Sequence, residues 1–181
     1  EIMNEILIHG RSFVPYISKE TIALKVKELA SILNKKFLYT DDIPLVLGIL
    51  NGSFIFMGDL LRELEFQCTV QFIRIESYQG LNTSGVVKME SELSHKWVNK
   101  QVIVVEDIVD TGHTLNRFVP VLKSHAPKSV FITSLLFKEE ALEVEVSLDH
   151  YCFKIPKEFV VGYGLDYDGL GRNLKDIYKL K

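Results

Sequence analysis

The chain has 181 residues, 47% hydrophobic and 25% charged, enough for one α/β domain with a substantial core and a small appendage. A formal net charge of −3 argues against a general nucleic-acid binder, which carries a net basic face, and leaves room for a local basic pocket that takes a phosphorylated small molecule. No apolar run approaches the ~18 residues that span a bilayer, and the N-terminal EIMNEILIHGRSF is too acidic and its apolar stretch too short for a signal peptide, so a cytoplasmic, soluble chain without membrane contact is expected.

SKETIALKVKELASILNKK (18–36) places Ser18 as N-cap, Glu20 in the first turn, and Ile22, Val26, Leu29, Ala30 and Leu33 at helical spacing, which predicts an amphipathic helix. PLVLGIL (44–50) is a compact apolar strand ending at Asn51-Gly52-Ser53, and SFIFMGDLLREL (53–64) follows as a helix. Strand, tight turn and helix make the first half of a βαβ unit. CTVQFIRIESY (68–78) reads as a long strand. The stretch 79–100 lacks a clean period, and two readings stay open: a functional flap (about 78–100) or a hairpin with a polar tip. VIVV (102–105) has the continuous β-branched pattern of a central parallel strand. Leu115, Phe118, Val119 and Leu122 mark one face of a helix, and KSVFITSLLFK (128–138) is the next strand. Residues 150–173 supply short strands and turns before a polar C-terminal tail. No internal repeat or low-complexity segment occurs, so a single domain over 1–181 is expected. Cys68 and Cys152 form no CxxC pair, and the five histidines contain no HxxxH spacing, so neither a disulfide framework nor a zinc site is expected.

The stretch VIVVEDIVDTGHT (102–114) drives an apolar strand into Glu106, Asp107 and Asp110, then into Thr111, Gly112, His113 and Thr114. In an open parallel sheet, ligands bind beyond the carboxyl ends of strands, so these acids arrive where a ligand would sit. Three like charges so close together repel, and a cation, hydroxyl donors or a positive ligand centre must offset them. The loop behind them offers free backbone N–H groups, two hydroxyls and a glycine for close approach, and it opens a helix whose N-terminus favours an anion. A ribose 5-phosphate has that outline. Each acid alone reads more simply as a strand end or a turn former, but the ordered string does not. No GxxxxGK[ST] is present, and the glycines at 162, 164, 169 and 171 do not space as GxGxxG, so neither a P-loop nor a Rossmann site is expected.

This string closely resembles the phosphoribosyl-pyrophosphate (PRPP) signature of type I phosphoribosyltransferases. LLFK (135–138), FVVGYGLDY (159–167) and ESY (76–78), in this order and spacing, narrow the resemblance to the hypoxanthine-guanine phosphoribosyltransferases over about residues 40–176. The resemblance implies a mostly parallel central sheet flanked by helices, with a small hood from the terminal segments (the C-terminal part about 150–181) and a flexible flap. It implies purine salvage: transfer of the phosphoribosyl group from PRPP to N9 of hypoxanthine and/or guanine, giving IMP or GMP and pyrophosphate, with Mg²⁺ as cofactor. It further implies a homo-oligomer, dimer or tetramer, and no nucleic-acid partner.

On the same resemblance, Glu106 and Asp107 would hold the ribose hydroxyls directly or through a metal, and residues Asp110, Thr111, Gly112, His113 and Thr114 would wrap the 5′-phosphate. Asp110 would also act as general base at N7. Lys138 would donate to the exocyclic O6, Phe159 would stack on the purine, and the backbone at Val160 would meet its far edge. Asp166, also counted among the purine-binding residues, would bind the Mg²⁺ that bridges to pyrophosphate, with Asn51, Gly52 and Arg172 on the same anion. Ser77 and Tyr78 would close with the flap. Where the family usually has Leu-Lys-Gly after the first strand, this chain has Leu50-Asn51-Gly52. The pyrophosphate contact expected there is largely backbone, through a non-proline cis peptide, which Asn51 keeps without the lysine charge. Simpler readings make Phe159 core, Lys138 a solvated strand end paired with Glu139 or Glu140, Asp166 a turn former and Arg172 a surface residue. Rival functions are a PRPP-binding regulator acting on nucleic acid and a transferase for another base.

Overall fold

A strand covered on both faces needs apolar residues at successive positions, and three segments meet that demand. They are β3 (Leu45–Leu50), β5 (Gln101–Val109) and β6 (Ser129–Phe137). In the computed structural model, which describes residues 4–75 and 97–181, they form the middle of a five-stranded, all-parallel sheet. Its order is β4-β3-β5-β6-β7, with β4 (Thr69–Arg74) and β7 (His150–Lys154) at the edges.

Helix α1 (Lys19–Phe37) starts where expected: Ser18 is its N-cap and its hydroxyl accepts from Thr21 N–H. It packs with α2 (Phe54–Glu63) on one face of the sheet, where Leu29, Leu33, Phe56, Met57 and Leu60 are buried. Helix α3 (His113–Ser124) covers the other face with Leu115, Phe118 and Leu122; of the four residues expected on that face, Val119 is only partly buried. Among the described residues no helix is long and apolar enough to cross a membrane.

Two expectations for the strands need correction. The central strand does not end at Val105: the β5–β6 ladder continues through Glu106↔Ser134 to Val109↔Phe137. Acidic residues looked like a strand end, but a parallel ladder is set by backbone pairing and tolerates polar side chains at its mouth. Nor are the last residues a polar tail. β9 (Ile177–Leu180), with Ile177 and Tyr178 buried, is a central strand of a second, antiparallel sheet. That sheet has the order β1-β2-β9-β8, formed from β1 (Ile6–Ile8), β2 (Arg11–Ile17) and β8 (Val160–Val161). The strand expected over 68–78 ends at Arg74 within the described residues.

The second sheet hangs over the C-terminal edge of the first as a hood from both terminal segments, as the resemblance implied. The seam between them is tight. Gly164, at φ +101°, lies so close to the Asn51–Gly52 turn that a Cβ there would stand 2.1 Å from the Gly52 carbonyl oxygen. The same glycine donates its N–H to the Arg172 carbonyl at 2.9 Å. Gly164→Ala combines a left-handed backbone with a clash against main chain, so we expect it to cost about 2–4 kcal/mol, read as a lowered Tm in thermal unfolding.

Candidate functional site

Strand order reverses between β3 and β5: β4 follows β3 on one side, and β5 returns on the other. A doubly wound sheet opens a crevice at such a switch point. A cleft of about 350 Å³ lies there, floored by the end of β3 and its turn (50–52) and by the end of β5 and the loop after it (residues 106–112 and Thr114), and walled by Asp166 and Arg172 of the hood.

Glu106 is buried, 5% exposed, and its Oε1 accepts the Asp107 N–H at 3.1 Å. Asp107 in turn accepts the Ile108 N–H at 2.9 Å. Burial, and after it the adjacent Asp107 carboxylate, push the Glu106 pKa well above the usual carboxylate range, against the smaller pull of the Asp107 N–H. Gly52 makes room for this pair, since a Cβ there would fall 1.5 Å from Asp107 Oδ2. The Leu50–Asn51 peptide bond is cis, the geometry the resemblance implied.

The loop after the acids turns through Gly112 at φ +86°, which begins α3 with no side-chain cap and no acidic residue in the first turn. Uncapped amide donors therefore face the cleft at the positive end of a helix. Lys138 follows β6 and is only 6% exposed. Its Nζ lies 2.8 Å from Asp110 Oδ2, so it is neither solvated nor paired with Glu139, which bonds Lys154 instead. Arg172 reaches Asp166 Oδ1 through Nη2 at 2.8 Å and donates to the Gly164 carbonyl through Nη1 at 2.8 Å. Asp166 also accepts the Gly169 N–H, so it is a turn former as well as a wall of the cleft.

Of the expected residues, Asn51, Gly52, Glu106, Asp107, Asp110, Thr111, Gly112, Thr114, Asp166 and Arg172 share this one cleft. His113 does not line it: as the first residue of α3, its ring turns outward to Glu143, 2.9 Å away. Phe159 stands on the hood, 45% exposed, against Phe13 and Tyr167, and Val160 is buried in β8 beside it. Ser77 and Tyr78 lie outside the described residues. Glu106, Asp107 and Asp166 border the cleft without converging, and among the described residues no group of three or more His, Cys, Asp or Glu forms a metal site. The donors are hard carboxylate oxygens, suited to a Mg²⁺ that takes one or two protein ligands and completes its shell with substrate and water. Sequence reasoning missed Arg74, bonded to Asn51, and the cover over Gly112 made by Leu142, Val144 and Val146. The alternation in EVEVSL (143–148) was the available signal for that cover.

A parallel sheet with acids and free amide donors at its switch point defines a binder of sugar phosphates. The family model for the phosphoribosyl transferase domain matches residues 17–168. Hypoxanthine phosphoribosyltransferase of Buchnera aphidicola is 38% identical over 165 residues, covering 91% of this chain and 93% of that protein. Hypoxanthine-guanine phosphoribosyltransferase of Lactococcus lactis is 40% identical over 166 residues, covering 91% and 89%. Among solved structures, hypoxanthine phosphoribosyltransferase of Staphylococcus aureus superposes with a TM-score of 0.84 at 36% identity, covering 92% of this chain and 90% of that one. The Trypanosoma cruzi enzyme in a ternary substrates complex gives 0.84 at 36% identity, covering 99% and 96%. The chain belongs to the phosphoribosyltransferase family, among its hypoxanthine-guanine members.

The raised pKa of Glu106 has a stability consequence. The folded state holds this proton at pH values where the unfolded chain has lost it, so stability falls as pH rises from about 4.5 through the folded pKa. Glu106→Gln removes that loss and keeps an acceptor for Asp107 N–H. We expect the variant to melt above the native protein at pH 8 and together with it near pH 4, as measured by thermal unfolding at both pH values.

Proposed function

We propose that the chain is a purine salvage enzyme that transfers the 5-phosphoribosyl group from PRPP to N9 of hypoxanthine and/or guanine, giving IMP or GMP and pyrophosphate. The observation that carries this reading is the joint position of Glu106, Asp107, Asp110, Thr111, Gly112 and Thr114 in the switch-point cleft, opposite Asp166 and Arg172.

The C1′–N9 bond forms as the C1′–O bond to pyrophosphate breaks, and the ribose ring gains positive charge in between. Glu106 and Asp107 hold the ribose hydroxyls and favour that charge. The loop amides and the α3 N-terminus bind the 5′-phosphate, with Thr111 and Thr114 hydroxyls beside them. Asp110 takes the proton that the purine gives up as N9 attacks. Lys138, already 2.8 Å from Asp110, donates to the exocyclic O6. A buried donor of this kind rejects adenine, whose 6-amino group would leave it unpaired. Phe159, exposed on the hood, stacks on the base, and the Val160 backbone reads the far edge. Arg172 and the Asn51–Gly52 turn receive pyrophosphate. His113 supports the loop from outside through Glu143 rather than touching phosphate with its ring.

Mg²⁺ fits beside Asp166, and beside Glu106 and Asp107, where it would neutralise departing pyrophosphate. The reading includes a single domain, a cytoplasmic location and a homo-oligomer, dimer or tetramer. Val70 and Phe72, exposed on edge strand β4, give an oligomer an apolar contact to cover.

Incubation with PRPP, Mg²⁺ and each of hypoxanthine, guanine, xanthine and adenine, followed by absorbance, tests the reaction; no nucleotide from any 6-oxopurine would overturn it. Asp110→Asn is expected to lose turnover by about a hundredfold or more while retaining PRPP affinity. Full turnover in that variant removes Asp110 from the base role. Lys138→Ala is expected to raise KM for the purine by about tenfold or more, with a smaller change for PRPP. Unchanged purine KM would count against the O6 contact.

A further inference from the structure

The cleft has a charge problem at its pyrophosphate end. Among the described residues four carboxylates line it, Glu106, Asp107, Asp110 and Asp166, and the one cation in the lining is Arg172, with Lys138 paired to Asp110 beside it. Two of the Arg172 donors are already committed, to Asp166 and to the Gly164 carbonyl. Besides the Mg²⁺ it would bring, a substrate that carries phosphate and pyrophosphate into this field is held better where a further positive group stands near the entrance.

One such group is present, one side chain behind the wall. Arg74 is the last residue of β4, and its Cα partner in the parallel ladder is Leu50, the residue before the Asn51–Gly52 turn. Its side chain is exposed and reaches across that turn, where Nη2 donates to Asn51 Oδ1 at 3.0 Å. Asn51 itself lines the cleft, as does Ile75, the residue after Arg74. Among the described residues Arg74 makes no ion pair. A guanidinium carries five N–H donors in a rigid fork, and Asn51 takes only one of them. The amide oxygen thus fixes the side chain at the turn, and among the described residues no carboxylate takes its charge.

We propose that Arg74 binds the pyrophosphate group of PRPP, with Asn51 as the positioning residue that holds its guanidinium at the cleft. This rests on the reading of the cleft as the PRPP site and adds a ligand to it. A planar fork suits a phosphoryl group that presents two oxygens. Negative charge builds on the bridging oxygen as the C1′–O bond breaks, so the contact strengthens towards the transition state. The interaction is solvent-exposed and therefore weakens with added salt.

The experiment compares the native enzyme with Arg74→Gln and Arg74→Lys at low ionic strength. For R74Q we expect KM for PRPP and the inhibition constant of pyrophosphate to rise by about tenfold. R74K, which keeps the charge and loses the planar fork, should fall between R74Q and native, and KM for hypoxanthine and the Tm should be unchanged in both. PRPP and pyrophosphate constants in R74Q within twofold of native, or a hypoxanthine KM that rises as much as the PRPP KM, would overturn the proposal. A measurement on the native protein needs no variant to fold: dicarbonyl modification of Arg74, followed by mass spectrometry, should slow with magnesium pyrophosphate and not with hypoxanthine. No slowing overturns the proposal. The two readings fail differently, because a native enzyme that makes no nucleotide from PRPP refutes the reaction, whereas an active enzyme indifferent to R74Q refutes only the role of Arg74.

Discussion

Adjacent carboxylates at the mouth of a dry sheet cannot both hold full charge unless something opposes them. Glu106 and Asp107 are such a pair, and much of the structure around them answers that constraint. The β5 ladder continues past them, so the backbone that carries both side chains is held in place. Gly52 leaves space for the Asp107 carboxylate where any side chain would collide with it. Burial raises the Glu106 pKa well above the usual carboxylate range, so the charged form of the pair is disfavoured in the free protein. A ligand with hydroxyls, a developing positive ring or an associated cation relieves the same repulsion. The stress that costs stability in the free protein is thus a source of binding for the correct occupant.

Around that pair the cleft is divided by charge. Lys138 and Asp110 form a closed ion pair on one side, and Asp166 and Arg172 form another across the opening. Between them the start of α3 supplies amide donors with no acid to compete for them. The sites proposed for base, phosphate and pyrophosphate therefore differ in chemistry. The ion pairs hold side chains in place before anything binds, which lowers the ordering cost on binding.

The parts of this architecture legible in the sequence were those coded locally. Ser18, Glu20 and the apolar stripe announced α1, and VIVV announced a covered strand. Glu106 to Thr114 could be read as a sugar-phosphate site because spacing along a strand-loop-helix survives folding unchanged. The hood could not be read in the same way. RSFVPYI holds Pro15, which suits an edge or bulged strand, and the register of β2 shifts beside it. IYKL is too short and mixed to stand out, and each strand is stabilised only by a partner from the opposite end of the chain. For the same reason the bond between Arg74 and Asn51 was hidden, since nothing in either segment specifies the other. The outward turn of His113 follows from its place on the first turn of a helix, which a motif does not convey.

The pairing of β2 with β9 orders events during synthesis. The five parallel strands are complete once β7 has been made, and at that moment the acids of β5 already stand at the sheet edge. The wall carrying Asp166 and Arg172, and the strand that ties it to β2, come later in the chain. A nascent chain therefore passes through a stage with its most repulsive residues assembled and the guanidinium opposite them missing. Contacts of such long sequence separation form late, so the hood closes after the sheet that it covers.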